Sequence, residues 1–369
     1  MKPRILIFSL AYEPLVGGAE LAVRNITDRL FDYEFDMITC RFDPKHRPRE
    51  KIGNVTVYRV GFGSRLGRYL FPVAGFFKVA QLHKAKPYGM IWSIMAAYAG
   101  GAALLFKWRF PRVKFLLTLQ EGDSVKHIYK QVRGFQSLWR MIFRKADYIQ
   151  AISNFLADWA KKEGASCPIE VVPNGVNLEK FKANDAKKNA NDAKVVITVS
   201  RLVYKNGVDI LIRAIQDLPV KLQILGSGPE ETSLKNLAEE LNIADKIEFL
   251  GNIDNDKLPE YLSQADIFAR PSRSEGLGIS FLEAMAMGLP VIAPPVGGIP
   301  DFLKDRETGL FVQEEDPADL AEKIKLLLND ENLRNRIAQA GQKLVLENYS
   351  WGTIASKMDR IFKKLASHV

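Results

Sequence analysis

The chain has 369 residues, 47% of them hydrophobic and 26% charged, which is more than one hydrophobic core usually covers and ordinary for globular protein. Disorder, collagen-like repeats and a disulfide scaffold are thereby excluded. The two cysteines, Cys40 and Cys167, lie far apart, fit a reducing compartment and offer no thiolate metal site. The formal net charge of +9 points to an anionic partner: nucleic acid, an anionic membrane surface or a phosphorylated ligand.

Ile5 to Ser9 reads as a buried first strand rather than the apolar core of a signal peptide, because it is short and no cleavage site follows. The turn Gly17-Gly18-Ala19-Glu20 opens a helix with Ala19, Ala22, Val23, Ile26 and Leu30 on one face. Further strands are expected at 35–39, 55–60, 90–94, 115–119 and 148–151, with helical stretches between them. Residues 87–106 carry no charge and have the length of a membrane span. The glycines, the alanines and the continuing rhythm assign them instead to a strand and a helix over 96–106. Strands alternating with helices predict a parallel sheet covered on both faces.

The polar, aperiodic stretch from Lys182 to Lys194 breaks the pattern and reads as a linker. After it the rhythm restarts. Strands are expected at 195–200, 222–225, 247–250, 267–269 and 290–293, and helices at 207–216, 230–241, 258–264, 279–287, 319–328, 331–347 and 353–366. The expectation is an α/β fold of two facing Rossmann-like, doubly wound domains. These are an N-terminal domain over 1–183, a C-terminal domain over 184–350, and a last helix over 351–369 that packs back on the first. Ligands of such sheets bind outside the carboxyl ends of the strands.

The most informative motif runs from Arg270 through Glu275, Gly276, Leu277 and Gly278 to Glu283. A strand ends, a glycine loop follows and a helix begins, so free N–H groups form an anion site that the glycines let a ligand approach. Carboxylates beside an anion site suit the hydroxyls of a sugar or ribose, or else complement the helix dipole. A second constellation, Ser200-Arg201 with Lys205-Asn206-Gly207, places cations at a strand's carboxyl end, where they suit a diphosphate or stay solvated. Gly17 and Gly18 form a third glycine turn. Gly226-Ser227-Gly228 lacks the third glycine of a dinucleotide fingerprint, and the four histidines show no metal-ligand spacing. Asp254-Asn255-Asp256 has the form of an Asp-x-Asp metal site, but its place in a loop before a helix favours capping.

Taken together these residues resemble the family 4 glycosyltransferases, retaining enzymes of GT-B architecture. The resemblance covers nearly the whole chain. It includes Gly17 to Glu20, Val172 to Val176, Arg201 to Val203, Gly207 to Asp209, Leu225 to Pro229, Phe249 to Gly251, Glu275 to Glu283, Gly297 to Asp301 and Thr308 to Leu310. It implies transfer of a sugar from a nucleotide-sugar donor, of UDP or GDP type, to a glycan or lipid-linked acceptor. Glu283 would hold the ribose hydroxyls and Glu275 a hydroxyl of the donor sugar. Arg201 and Lys205 would hold the diphosphate, helped by the Gly17 and Gly18 N–H groups, with Ser200, Asn206, Gly276, Leu277 and Gly278 lining the donor. Cations then stand where other transferases use a metal, so neither metal nor cofactor is expected. The chain departs from the family where Gln120 replaces a usual His, where Lys205-Asn206 replaces a Lys directly before Gly207, and at Asp301.

The charge is unevenly spread. Residues 1–185 hold 29 Lys and Arg against 16 Asp and Glu, a balance of +13, while the remainder is at −4. Cations interleave with aromatics from Phe62 to Lys78, from Lys107 to Lys114 and from Lys126 to Lys145, a composition suited to an anionic membrane interface. The expected location is cytoplasmic, peripheral on the membrane. Nucleic acid would explain the charge but not the Glu-containing motif. The competing readings are a non-catalytic protein binding sugar nucleotides or polyanions, and a GT-B epimerase or phosphorylase, for the latter of which no pyridoxal lysine motif is present.

Overall fold

A computed structural model describes residues 2–15, 17–64, 66–182 and 193–366. It divides into two compact units, one of Met1–Asn174 with Trp351–Val369 and one of Gly175–Ser350. The expected boundary between 183 and 184 falls on residues 183–192, which lie outside the described residues.

The first unit runs β1 (Arg4–Phe8), α1 (Gly18–Thr27), β2 (Glu34–Cys40), β3 (Arg49–Ile52), β4 (Val55–Val60), α2 (Gly67–Ala85), β5 (Met90–Ile94) and α3 (Tyr98–Arg109). It continues through β6 (Lys114–Leu119), α4 (Val125–Gln131), α5 (Gln136–Lys145), β7 (Tyr148–Ala151), α6 (Asn154–Lys162) and β8 (Ile169–Val171). Its sheet has the order β3-β4-β2-β1-β5-β6-β7-β8. All pairings are parallel except β3 with β4. Ile5, Leu6, Ile7 and Phe8 of β1 are all buried, as a strand covered on both faces requires. The uncharged segment 87–106 is indeed strand then helix, β5 and the start of α3. Edge strand β3, of sequence Arg-Glu-Lys-Ile, was not expected from the pattern. An edge strand pairs on one side only and needs no apolar run.

The second unit runs β9 (Lys194–Val199), α7 (Val208–Ala214), β10 (Val220–Leu225), α8 (Glu231–Glu240), β11 (Ile247–Gly251), α9 (Leu258–Gln264) and β12 (Ile267–Ala269). It continues through α10 (Ile279–Ala286), β13 (Val291–Ala293), β14 (Leu310–Phe311), α11 (Pro317–Asn329) and α12 (Glu331–Asn348). The sheet order is β11-β10-β9-β12-β13-β14, all parallel. The order reverses at β9, so the crevice rule places a ligand where β9 meets β12 at their carboxyl ends.

The last helix, α13 (Trp351–Ala366), belongs to the first unit, as expected. Ile354, Met358, Ile361, Phe362 and Leu365 recur at helical spacing and are buried in the same core as Ile5, Phe35 and Trp92. The Phe362 ring lies 5.2 Å from Trp92 and 5.5 Å from Tyr33, both edge-on. The Tyr33 hydroxyl donates to Asp359 Oδ1 at 2.8 Å.

Candidate active site

At the carboxyl ends of β9 and β10 lies an open cavity of about 490 Å3, walled by Val199, Ser200, Arg201, Leu225 to Ser227, the 252–255 loop and Glu283. Two of its polar groups stand out. Ser200 Oγ is buried with no hydrogen bond. Glu283 sits on α10 with 8% exposure, and burial moves its carboxyl from 4.5 to about 7 although Lys180 and Arg270 pull it down. An uncompensated buried carboxyl is costly, and it marks a place where a ligand's donors are missing.

Glu275 is held from below by Arg270, a residue of the same motif that is not among the expected site residues. Arg270 is 5% exposed, and its guanidinium makes four hydrogen bonds. Nε donates to Ser272 Oγ at 3.0 Å, Nη1 to Ser280 Oγ at 2.8 Å and to the Val199 carbonyl at 3.3 Å, and Nη2 to Glu275 Oε2. The Phe281 ring lies 4.1 Å beneath it. One side chain thus ties β9, β12, the glycine loop and the start of α10 together. The other Glu275 oxygen accepts the Gly276 N–H at 3.0 Å. Leu277 is buried, so it can offer a ligand only its backbone, and Gly278 is the N-cap of α10. Gly297 fixes the loop from behind. Its φ is +56°, and a Cβ there would lie 1.8 Å from the Glu275 carbonyl oxygen, so no other residue fits.

Arg201 is exposed in the loop after β9. Asn206 is buried, and its Nδ2 donates to the Arg201 carbonyl at 2.6 Å. Its side chain is therefore a brace for the Arg201 turn in this structure. Arg273 clamps the same turn: its backbone N–H donates to the Lys205 carbonyl at 2.7 Å, and its guanidinium grips both Asp209 oxygens at 2.8 Å. Gly207 closes the turn at φ +67°, with a hypothetical Cβ 1.9 Å from the Pro271 carbonyl oxygen.

In the first unit, Gly17, Gly18 and Gln120 also stand at strand carboxyl ends, after β1 and β6. The Gly17 N–H, expected to face a phosphate, is taken by Glu20 Oε2 at 2.9 Å in a capping box. Gln120 is buried and its Oε1 accepts the Asn174 amide at 3.1 Å. Next to it stands Glu121, which no motif singles out. Its Oε1 accepts the Ala96 N–H at 2.7 Å, its Oε2 is buried without a partner, and burial moves the carboxyl to about 7. Among the described residues no three His, Cys, Asp or Glu converge on a metal-sized site. Asp254 caps the turn before α9, accepting the Asp256 N–H at 3.0 Å, and Asp256 pairs with Lys180 at 2.9 Å.

Two family models match end to end: Glycosyltransferase Family 4 over residues 16–180, and Glycosyl transferases group 1 over residues 180–344. The chain belongs to the family 4 glycosyltransferases. An uncharacterised glycosyltransferase of Methanocaldococcus jannaschii is 28% identical over 98% of this chain and 99% of its own. A GDP-mannose-dependent alpha-(1-6)-phosphatidylinositol monomannoside mannosyltransferase of Mycobacterium tuberculosis is 31% identical over 60% of this chain and 63% of its own. The solved sucrose-phosphate synthase of Thermosynechococcus elongatus superposes with a TM-score of 0.86 at 24% identity, covering both chains fully, which shows the GT-B fold. This glycosyltransferase is therefore an enzyme of hexose transfer, and the non-catalytic reading falls away.

Proposed function

We propose that this glycosyltransferase takes a hexosyl group from a UDP- or GDP-sugar and passes it, with retention at the anomeric carbon and without a metal, to a glycan or lipid-linked acceptor at a membrane surface. The observation that carries the donor half is the cavity beside β9, where Ser200 Oγ is buried without a hydrogen bond and the buried Glu283 carboxyl is raised by desolvation. Ribose hydroxyls are donors of the right kind for the Glu283 carboxylate. Glu275, already oriented by Arg270, presents its carboxylate to a hydroxyl of the sugar. As the glycosidic bond breaks, the sugar takes on oxocarbenium character and the leaving diphosphate gathers charge. Arg201, Lys205 and the N–H groups of Leu277 and Gly278 are the positive groups that answer it, in the place of a divalent ion. Gln120 carries no proton at any working pH, so its part is limited to hydrogen bonding.

The test is a thermal-shift screen of UDP-, GDP- and ADP-sugars against EDTA-treated enzyme, followed by NMR of the product anomer. Stabilisation by one donor class and an α product from an α donor are expected. No stabilisation by any donor, an inverted product, or activity restored only by added magnesium would each refute its part.

A further inference from the structure

Helix α2 is apolar on the side that faces solvent. Its inner positions, Phe71, Gly75 and Val79, pack on the domain, with Gly75 against Ala102 of α3 and Ile38 of β2. Leu66, Tyr69, Leu70, Val73 and Phe77 form the opposite side, and all five are more than half exposed, from 51% at Val73 to 73% at Leu66. Their spacing of three and four residues stacks them in one ridge over three turns. Phe62, just ahead of the helix, is 84% exposed. A surface helix ordinarily turns charged residues outward, so a contiguous apolar ridge marks an interaction surface.

The charges around the ridge say what covers it. From Lys51 to Gln120 there are 11 basic residues and no acidic one. Arg59, Lys86 and Lys107 are neutralised by acids from outside the stretch, Glu50, Glu34 and Asp147. Arg68 and Lys78, on the same helix, meet no carboxylate among the described residues: Arg68 donates to the Tyr69 hydroxyl at 2.9 Å, and Lys78 to Gln81 Oε1 at 3.3 Å. A two-fold dimer would set this patch against itself and bring like cations together. An anionic lipid surface accepts the ridge between its acyl chains and the cations among its phosphates.

We infer that α2 is an interfacial anchor, lying in the plane of an anionic membrane with Leu66, Tyr69, Leu70, Val73 and Phe77 inserted and Arg68 and Lys78 at the headgroups. This deepens the membrane-side acceptor of the proposed function and rests on that part of it alone. Among the described residues no helix is long and apolar enough to cross a membrane, so the attachment is to one surface.

The experiment is vesicle sedimentation of the full chain with phosphatidylcholine, with and without phosphatidylglycerol, at low and high salt. Binding to the mixed vesicles is expected to weaken, not vanish, in high salt, because the inserted part is not electrostatic. Leu70→Ser with Phe77→Ser should raise the lipid needed for half-binding at least about tenfold. Arg68→Ser with Lys78→Ser should remove most of the salt dependence. Leu70, Phe77 and Arg68 are exposed and Lys78 is half-buried, so melting curves should stay close to the parent's. Absence of vesicle binding, or binding indifferent to Leu70 and Phe77, overturns the inference. So does a concentration-dependent dimer in light scattering that the same pair abolishes. Donor binding, read by thermal shift without lipid, is unmoved by either pair, so its failure would be a separate failure.

Discussion

Glu283→Gln separates the two consequences of burying a carboxylate. In the folded protein the Glu283 carboxyl is moved from 4.5 to about 7 by desolvation. At 1.36 kcal/mol per unit, ionising it in place costs about 3 kcal/mol at pH 8. The amide keeps the shape and has a smaller desolvation cost of about 1–2 kcal/mol. Because the folded-state value is raised, the unfolded chain loses its proton first as pH climbs from 4.5. The parent therefore loses stability between pH 4.5 and about 7 and is level above it. The variant should match the parent near pH 4 and exceed it by about 3 kcal/mol at pH 8, roughly 6–12 °C in melting temperature. Nucleotide affinity should move the opposite way, falling about tenfold or more with the loss of a charged acceptor for the ribose. Scanning fluorimetry across pH and calorimetric titration with the nucleoside diphosphate measure both. A stability difference independent of pH, or a variant less stable at pH 8, would refute the reasoning.

Arg270→Met should destabilise by about 3–5 kcal/mol in urea unfolding, since it strands the Glu275 carboxylate, and adding Glu275→Gln should recover part of the loss. Asn206→Ala should cost about 1–3 kcal/mol and lower kcat, because the Arg201 carbonyl loses its buried donor; unchanged kinetics would argue that the brace does not matter for the cation. Phe362→Ala removes a ring in contact with Trp92, Phe35 and Tyr33, and a loss of about 3–5 kcal/mol is expected in the transition of the first unit.

The central strands were readable because burial on both faces leaves unbroken apolar runs, as in β1 and β5. The edge strand β3 was not, since it is Arg-Glu-Lys-Ile and has a pairing neighbour on one side only, whereas the edge strand β11 was expected at 247–250 and found there. The Glu275-to-Glu283 motif was legible from spacing, and the structure brings Glu283 to the wall of a cavity with Ser200 and Arg201. Arg270 was not legible as the support of Glu275, because nothing in its neighbours says that this cation is buried. Glu121 stayed hidden for the same reason: its missing partner is a property of β5, β6 and the loops after them. The Gly17 cap could have been read, since Glu20 stands three residues on.

The path of the chain has a consequence for its synthesis. The second unit is complete once Ser350 has been made, whereas the first lacks α13 (Trp351–Ala366) until after that point. The usual order on the ribosome, N-terminal domain first, is therefore reversed. Until Phe362 and its neighbours emerge, the cores of β1, β2 and β5 stand uncovered on the side that α13 will seal. A nascent chain stalled or cut just after Ser350 leaves a finished second unit attached to a first whose core is still open on one side.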